Sequence, residues 1–197
     1  RKKVPMPSID NSNKHLDLGC GDHARNPYSA PELYGVDLSL GDREADDNFK
    51  TCNLVCEPIP FSDAFFASVS AFDVIEHIPR QSVDHERKII VNPFILVMNE
   101  IHRVLKPNGL FYALTPAYPS PEAFQDPTHV NIITEGTHQY FCGDNADAKR
   151  YGFIGKFKVI EAQRIYPKYA QTAGRSLVTV IKNAHKKYVK RSISHFV

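Results

Sequence analysis

The sequence predicts a doubly wound α/β domain on a mostly parallel, seven-stranded sheet. Three observations predict it. Short apolar runs recur along the chain with helical or polar stretches between them, the pattern of buried parallel strands. The first run, His15-Leu-Asp-Leu-Gly-Cys-Gly21, ends in two glycines. The second, Leu33-Tyr-Gly-Val-Asp37, ends in a carboxylate. Gly-x-Gly at a strand end lets backbone N–H groups approach a ligand, since glycine lacks Cβ and tolerates positive φ. An acid at the tip of the second strand is placed to accept hydrogen bonds from two ribose hydroxyls. Gly19, Gly21 and Asp37 therefore form a candidate nucleoside site.

Each element has a local reason. Between the first two strands, Arg25-Asn-Pro-Tyr-Ser-Ala-Pro31 carries two prolines in too few residues for a helix of normal length, so the first helix is abbreviated. Gly41 to Asp47 is a polar loop, and Phe49 to Leu54 reads as the third strand. Ala67 to Asp73 is the fourth. Over Pro93 to Leu105, Phe94, Met98, Ile101 and Leu105 recur at helical spacing and make one stripe. Pro107-Asn-Gly109 stops that helix, and Leu110 to Thr115 is the fifth strand. Phe157 to Tyr166 and Ser176 to Lys182 close the sheet. This gives one domain: a cofactor-binding core over 15–115, a substrate-covering region over 116–156, the last strands over 157–182, and a basic tail over 183–197.

At 197 residues, with 42% apolar and 23% charged residues, the chain is long enough to bury a core. The longest mostly apolar stretch, Ile89 to Met98, is interrupted by Asn92 and Pro93 and falls far short of the ~20 residues a membrane helix needs. Arg1 to Pro7 has no apolar h-region, which argues against an intact signal peptide. Cys20, Cys52, Cys56 and Cys142 suggest neither a disulfide framework nor a zinc knuckle. The expected compartment is the cytoplasm. A net charge of +2 does not imply a nucleic-acid surface. Lys182, Lys186, Lys187, Lys190 and Arg191 read as a solvated helical tail or as a contact for an anionic partner.

Two nucleoside cofactors fit the glycine loop. Gly19-x-Gly21-x-x-Ala24 with an acid beyond it matches the dinucleotide fingerprint, which would make the protein an NAD(P)-dependent oxidoreductase. A pyrophosphate needs a helix N-terminus behind the loop, however, and Asp17 would repel it. An anion at Asp17 suits the sulfonium and ammonium of S-adenosylmethionine. A binding module without chemistry is the third alternative. In open parallel sheets ligands bind beyond the strands' carboxyl ends, so Gly19, Gly21, Asp37, Asn53 and Asp73 should converge on one rim.

At these residues the chain resembles the class I S-adenosylmethionine-dependent methyltransferases, with a Rossmann-like sheet. Asp17-Leu-Gly-Cys-Gly21 is similar to their first motif and Asp37 to their ribose-binding acid. The resemblance continues in order through Cys52-Asn53-Leu54, Pro60-Phe61, Phe72 to Pro79 and Arg103 to Gly109. It implies S-adenosylmethionine as cofactor and S-adenosylhomocysteine as product. It also implies a cofactor contact at Asn53 and Leu54, where many relatives put an Asp on the adenine amino group. Asn53 equally reads as closing a local turn, and Phe61 as covering the adenine or filling the core. The pattern departs from the family in the abbreviated first helix and in Asp22-His23, which replace a third glycine.

Asp73-Val-Ile-Glu76-His77 puts three ligand-type side chains on one face of a helical turn. It is similar to the Glu-x-x-Glu-His element with which ubiquinone-pathway and small-RNA 2′-O-methyltransferases hold a divalent metal. Asp73, Glu76, His77 and His129 are thus candidate metal ligands, and the other reading has Glu76-His77 merely closing the cofactor pocket. Tyr118 to Val130 is a proline-rich loop expected to cover the substrate. His77, His129 and Asp126 are the candidate acid–base groups, with His129 open to a purely structural role, and Tyr140-Phe141 can stack on a sugar or ring. The segment resembles methyltransferases of bacterial surface-polysaccharide clusters, which implies a glycan, nucleotide sugar or other small-molecule acceptor. RNA is the alternative acceptor.

Overall fold

The computed structural model describes residues 13–165 and 191–196. The chain lays down β1 (Lys14–Leu18), β2 (Glu32–Asp37), β3 (Phe49–Thr51) and β4 (Phe66–Phe72). A small antiparallel hairpin of β5 (Ser82–Asp84) and β6 (Ile89–Val91) leads to helix α1 (Pro93–Val104). Strand β7 (Leu105–Pro116), a short α2 (Glu122–Gln125), β8 (Val159–Ile165) and β9 (Arg191–Phe196) follow. The sheet order is β3-β2-β1-β4-β7-β9-β8. The first five of these strands are parallel, while β9 runs antiparallel to both neighbours. The chain turns back between β1 and β4, so the crevice beyond their carboxyl ends is where a ligand belongs.

Several expected boundaries move. The third strand stops at Thr51 rather than Leu54, because the chain folds over at Asn53, whose carbonyl accepts the Glu57 N–H at 2.8 Å. The fourth ends at Phe72, since Asp73 takes the left-handed region with φ +56°. Pro93 sits in the first turn of α1, where its missing N–H costs nothing, and α1 stops at Val104, before the proline. Strand β7 then bulges: Leu105 pairs with Phe66, but Leu110 pairs with Ser68. The expected strand Ser176 to Lys182 lies outside the described residues. Arg191–Phe196, read as part of a basic tail, is instead the strand between β7 and β8.

The two faces of the central strands differ. Leu16 and Leu18 of β1, Val69 and Ala71 of β4, and Phe111 and Ala113 of β7 pack with Ile95, Met98 and Ile101 of α1 in the main core. The alternate residues His15, Asp17, Ser68 and Ser70 face the other way and are fully buried. Residues 19–31, expected to hold a short helix, contain none. Tyr28 lies on the polar face instead, its ring edge-on to His15 and Tyr112. Among the described residues no helix is long and apolar enough to cross a membrane.

Candidate active site

The glycine loop is pinned from both sides. Gly19 N–H and Cys20 N–H donate to Val36 C=O at 2.8 and 3.2 Å, and Gly21 N–H donates to Asp37 Oδ2 at 2.9 Å. At Gly19 (φ +66°) a Cβ would stand 2.2 Å from Val74 Cγ2, so a side chain is excluded. A Cβ on Gly21 would meet nothing within 4 Å, which leaves its backbone open to a ligand. Asp37 Oδ1 accepts the Ser39 N–H at 3.2 Å, and its two oxygens retain lone pairs for further donors.

Asp17 lies beneath this loop rather than on its open side. It has no exposed surface. Its Oδ2 accepts the Arg25 N–H at 2.7 Å and its Oδ1 accepts Ser70 Oγ–H at 2.6 Å, with Arg25 Nε 3.7 Å away. Because the Ser70 hydroxyl donates to Asp17, its oxygen is left to accept His15 Nε2–H at 2.8 Å, and His15 Nδ1 then accepts from Ser68 Oγ at 2.8 Å. Burial pushes the Asp17 carboxyl up to about 6, opposed by its bonds to Ser70 and Arg25. Burial likewise pulls the His15 imidazole down to about 3. This Ser68–His15–Ser70–Asp17 chain was invisible as a motif, although the alternation His15-Leu-Asp17 on a strand was its available signal. At the tip of β3, Asn53 Oδ1 accepts the Val55 N–H at 3.1 Å and closes its own turn, and Leu54 packs against the core. Phe61 packs edge-on to Tyr34 and Phe66 and belongs to the core.

A 3-10 turn, Ile75–His77, follows Asp73 and abuts the glycine loop through Val74. It carries Glu76, only 1% exposed, and His77. Asn131 clamps it to the covering segment: its N–H donates to Glu76 C=O at 2.9 Å and its Nδ2 to Ile75 C=O at 3.1 Å. Arg80 Nε donates to Asn131 Oδ1 at 2.7 Å, and Arg80 Nη2 donates to Ile132 C=O. His129 is thereby brought beside His77, the ring centroids 4.7 Å apart. One carboxylate oxygen of Glu76 and one ring nitrogen each of His77 and His129 lie within 4.8 Å of one another. Asp73 is not part of that group, because its left-handed backbone turns the chain before the 3-10 turn begins.

Asp126 joins the group through a residue the sequence did not single out. Thr128 Oγ1–H donates to Asp126 Oδ1 at 2.6 Å, so its oxygen accepts His77 Nδ1–H at 3.0 Å. Asp126 Oδ2 lies 3.8 Å from His129 Nε2. The Thr128 hydroxyl and N–H hold the Asp126 carboxyl below its ordinary range. His77 therefore carries its proton on Nδ1 and keeps the Nε2 lone pair. An imidazole oriented by a carboxylate-backed acceptor can take a proton or ligate an ion with that nitrogen.

A family model described as a methyltransferase domain matches residues 3–141. No curated protein sequence matches the chain. Among solved structures, a chain of the complex between the Trm112 methyltransferase activator of Haloferax volcanii and a methyltransferase is similar with a TM-score of 0.58 at 15% identity, covering 98% of this chain and 84% of that one. A SAM-dependent methyltransferase from Archaeoglobus fulgidus gives 0.56 at 13% identity, covering 96% and 88%. A phosphoethanolamine N-methyltransferase of Haemonchus contortus, solved with S-adenosylhomocysteine, gives 0.54 at 17% identity, covering 98% of this chain and 50% of that one.

Proposed function

The chain belongs to the methyltransferase-domain family and is an enzyme, and from that premise we propose that it methylates a hydroxyl of a glycan, nucleotide sugar or other small molecule. The cofactor is S-adenosylmethionine, which when bound supplies an electrophilic methyl group. Gly19, Gly21, Asp37 and Leu54 are its candidate seat, and the open backbone at Gly21 beside Asp37 fits a nucleoside. Asp17 and Asn53 act on that seat through the loops they tie down. A nicotinamide dinucleotide fits less well, because residues 19–31 offer no helix N-terminus for its pyrophosphate.

The observation that carries the reading is the Asp126–Thr128–His77 relay, on a turn that touches the glycine loop. His77 Nε2 removes the proton of the acceptor hydroxyl as that oxygen attacks. The new charge on His77 is balanced by Asp126 through Thr128. Holding the oxygen in line with the departing sulfur supplies several kcal/mol of the barrier, on the order of what positioned groups provide. The Glu76, His77 and His129 atoms also fit a divalent ion, with two nitrogens and an oxygen of the kind zinc or manganese accepts. An ion there would be held by a ring nitrogen of His77 together with Glu76 and His129, and would lower the pKa of a coordinated hydroxyl. Four cysteines without disulfide bonds support a reducing compartment, the cytoplasm.

Calorimetry with S-adenosylhomocysteine and with NADH tests the cofactor, and a heat signal from NADH alone would overturn the reading. Asp37→Ala is expected to weaken S-adenosylhomocysteine by roughly 2 to 3 kcal/mol, since two hydroxyls lose a charged acceptor, and an unchanged dissociation constant would remove the ribose assignment. Transfer of labelled methyl into pools of nucleotide sugars, glycans, phenols and RNA identifies the acceptor. Exhaustive EDTA treatment of the active enzyme is expected to abolish turnover if the ion is required. Full activity in EDTA leaves His77 as the base.

A further inference from the structure

A cavity of about 710 Å³ opens between the first turn of α1 and the 3-10 turn Thr137–Phe141. Its size is that of a small-molecule site. The walls are mainly rings and hydroxyls, among them Phe94, Phe141, Thr134 and Thr137. Tyr140 and Tyr151, both lining it, stack on each other with centroids 6.2 Å apart and planes 27° from parallel. They stay 38% and 55% exposed, so a flat face of aromatic surface is open to a ring. Among the described residues, Arg80 is the one charged group on the wall, and no carboxylate lines the cavity.

We propose that this cavity seats the methyl acceptor, and that the acceptor is a ring-bearing molecule with a phosphate or carboxylate group held by Arg80. The proposal rests on the methyltransferase reading and gives it a substrate class. Asn131 and the Ile132 carbonyl fix the Arg80 guanidinium through Nε and Nη2. Among the described residues its Nη1 has no hydrogen-bond partner, so the fork is oriented before an oxyanion arrives. With no carboxylate on the wall to neutralise Arg80, an anion gains and a cation loses. Asn131, which orients Arg80, also holds the backbone of Ile75 and Glu76, so the seat and the acid–base group are built on the same two segments.

The test titrates the chain, saturated with S-adenosylhomocysteine, with two pairs of probes. These are 4-hydroxybenzoate against phenol, and UDP-glucose against methyl glucoside. The chain has no tryptophan, so quenching of tyrosine fluorescence reports occupation beside Tyr140 and Tyr151 alongside the calorimetric heat. In at least one pair the anionic probe is expected to bind about tenfold tighter than its uncharged partner, the worth of a hydrogen bond to a charged group. The aryl acid winning names one source of the anion, and the nucleotide sugar winning names the other. Arg80→Ala should erase the preference. Because Arg80 also anchors the Asn131 side chain and the Ile132 carbonyl, the second variant is Gln81→Glu at the neighbouring residue on the cavity wall: a carboxylate there should weaken the anionic probe about tenfold and leave S-adenosylhomocysteine unchanged. Equal binding of charged and uncharged probes, or no effect of Gln81→Glu, overturns the proposal while the cofactor reading stands. Loss of S-adenosylhomocysteine binding in the unsubstituted protein overturns both.

Discussion

Replacing His77 with alanine is expected to lower the rate of methyl transfer by roughly 10²- to 10⁴-fold, the range a positioned general base contributes. The affinity for S-adenosylhomocysteine should stay within about twofold, since no cofactor contact is assigned to the imidazole. Thr128→Val cuts the same relay at its middle, removing the acceptor for His77 Nδ1–H and the donor to Asp126. It should give a smaller loss of turnover, because the base remains but its tautomer is no longer biased. Initial rates with labelled cofactor measure both variants. Turnover of His77→Ala within a few fold of the unsubstituted enzyme would remove His77 from the chemistry, as base and as ligand alike.

The second large effect concerns pH and stability. Folding pulls His15 down to about 3 and pushes Asp17 up to about 6. Between the unfolded Asp pKa near 3.8 and pH 6, the unfolded chain holds a proton on His15 and the folded chain holds one on Asp17. The two contributions therefore nearly cancel, and the pair adds little pH dependence in that window. Single substitutions unmask each half. In Asp17→Asn only the depressed imidazole remains, whose contribution is complete above pH 6.5 and is lost on acidification, by about 1.4 kcal/mol per pH unit. In His15→Gln only the raised carboxyl remains, so acidifying from pH 6 to 4 should stabilise that variant relative to the unsubstituted protein, by up to about 3 kcal/mol. Urea midpoints of the three proteins between pH 4 and 7 decide it. Parallel curves would mean that the two groups are not buried as described.

The parts of the site legible in the sequence are those that a backbone requirement writes into residue type. Gly19 and Gly21 both take positive φ, Gly19 where a Cβ would also run into Val74, and Asp37 ends β2 beside them. His77, Asp126 and His129 were found as chemical types, and the folded loop brings them together. Thr128 was not, because a threonine gains its relay role only when residue 77 arrives beside it from another segment. Asp73 looked like a ligand by spacing counted along a regular helix, a geometry its left-handed φ does not provide. The run from His15 reads in sequence as a short apolar run, yet it alternates between a hydrophobic core and a buried polar chain. Arg191–Phe196 was hidden by its basic flank, whose charge masks the period-2 pattern of Ile193 and its neighbours.

The pairing of β1 with β4 has a consequence for how the domain forms. His15 meets Ser68 and Ser70 across 53 and 55 residues of chain, so no short peptide contains the polar network that supports the cofactor loop. A sheet joined by such distant, mostly parallel pairings has high contact order and belongs with slow-folding topologies. The hydrophobic side of β1 can collapse onto α1 without directional requirements, whereas the serine–histidine–aspartate side needs β1 and β4 in final register before any bond closes. The polar support of the cofactor loop therefore cannot form until β1 and β4 are paired, whatever the apolar side has already buried.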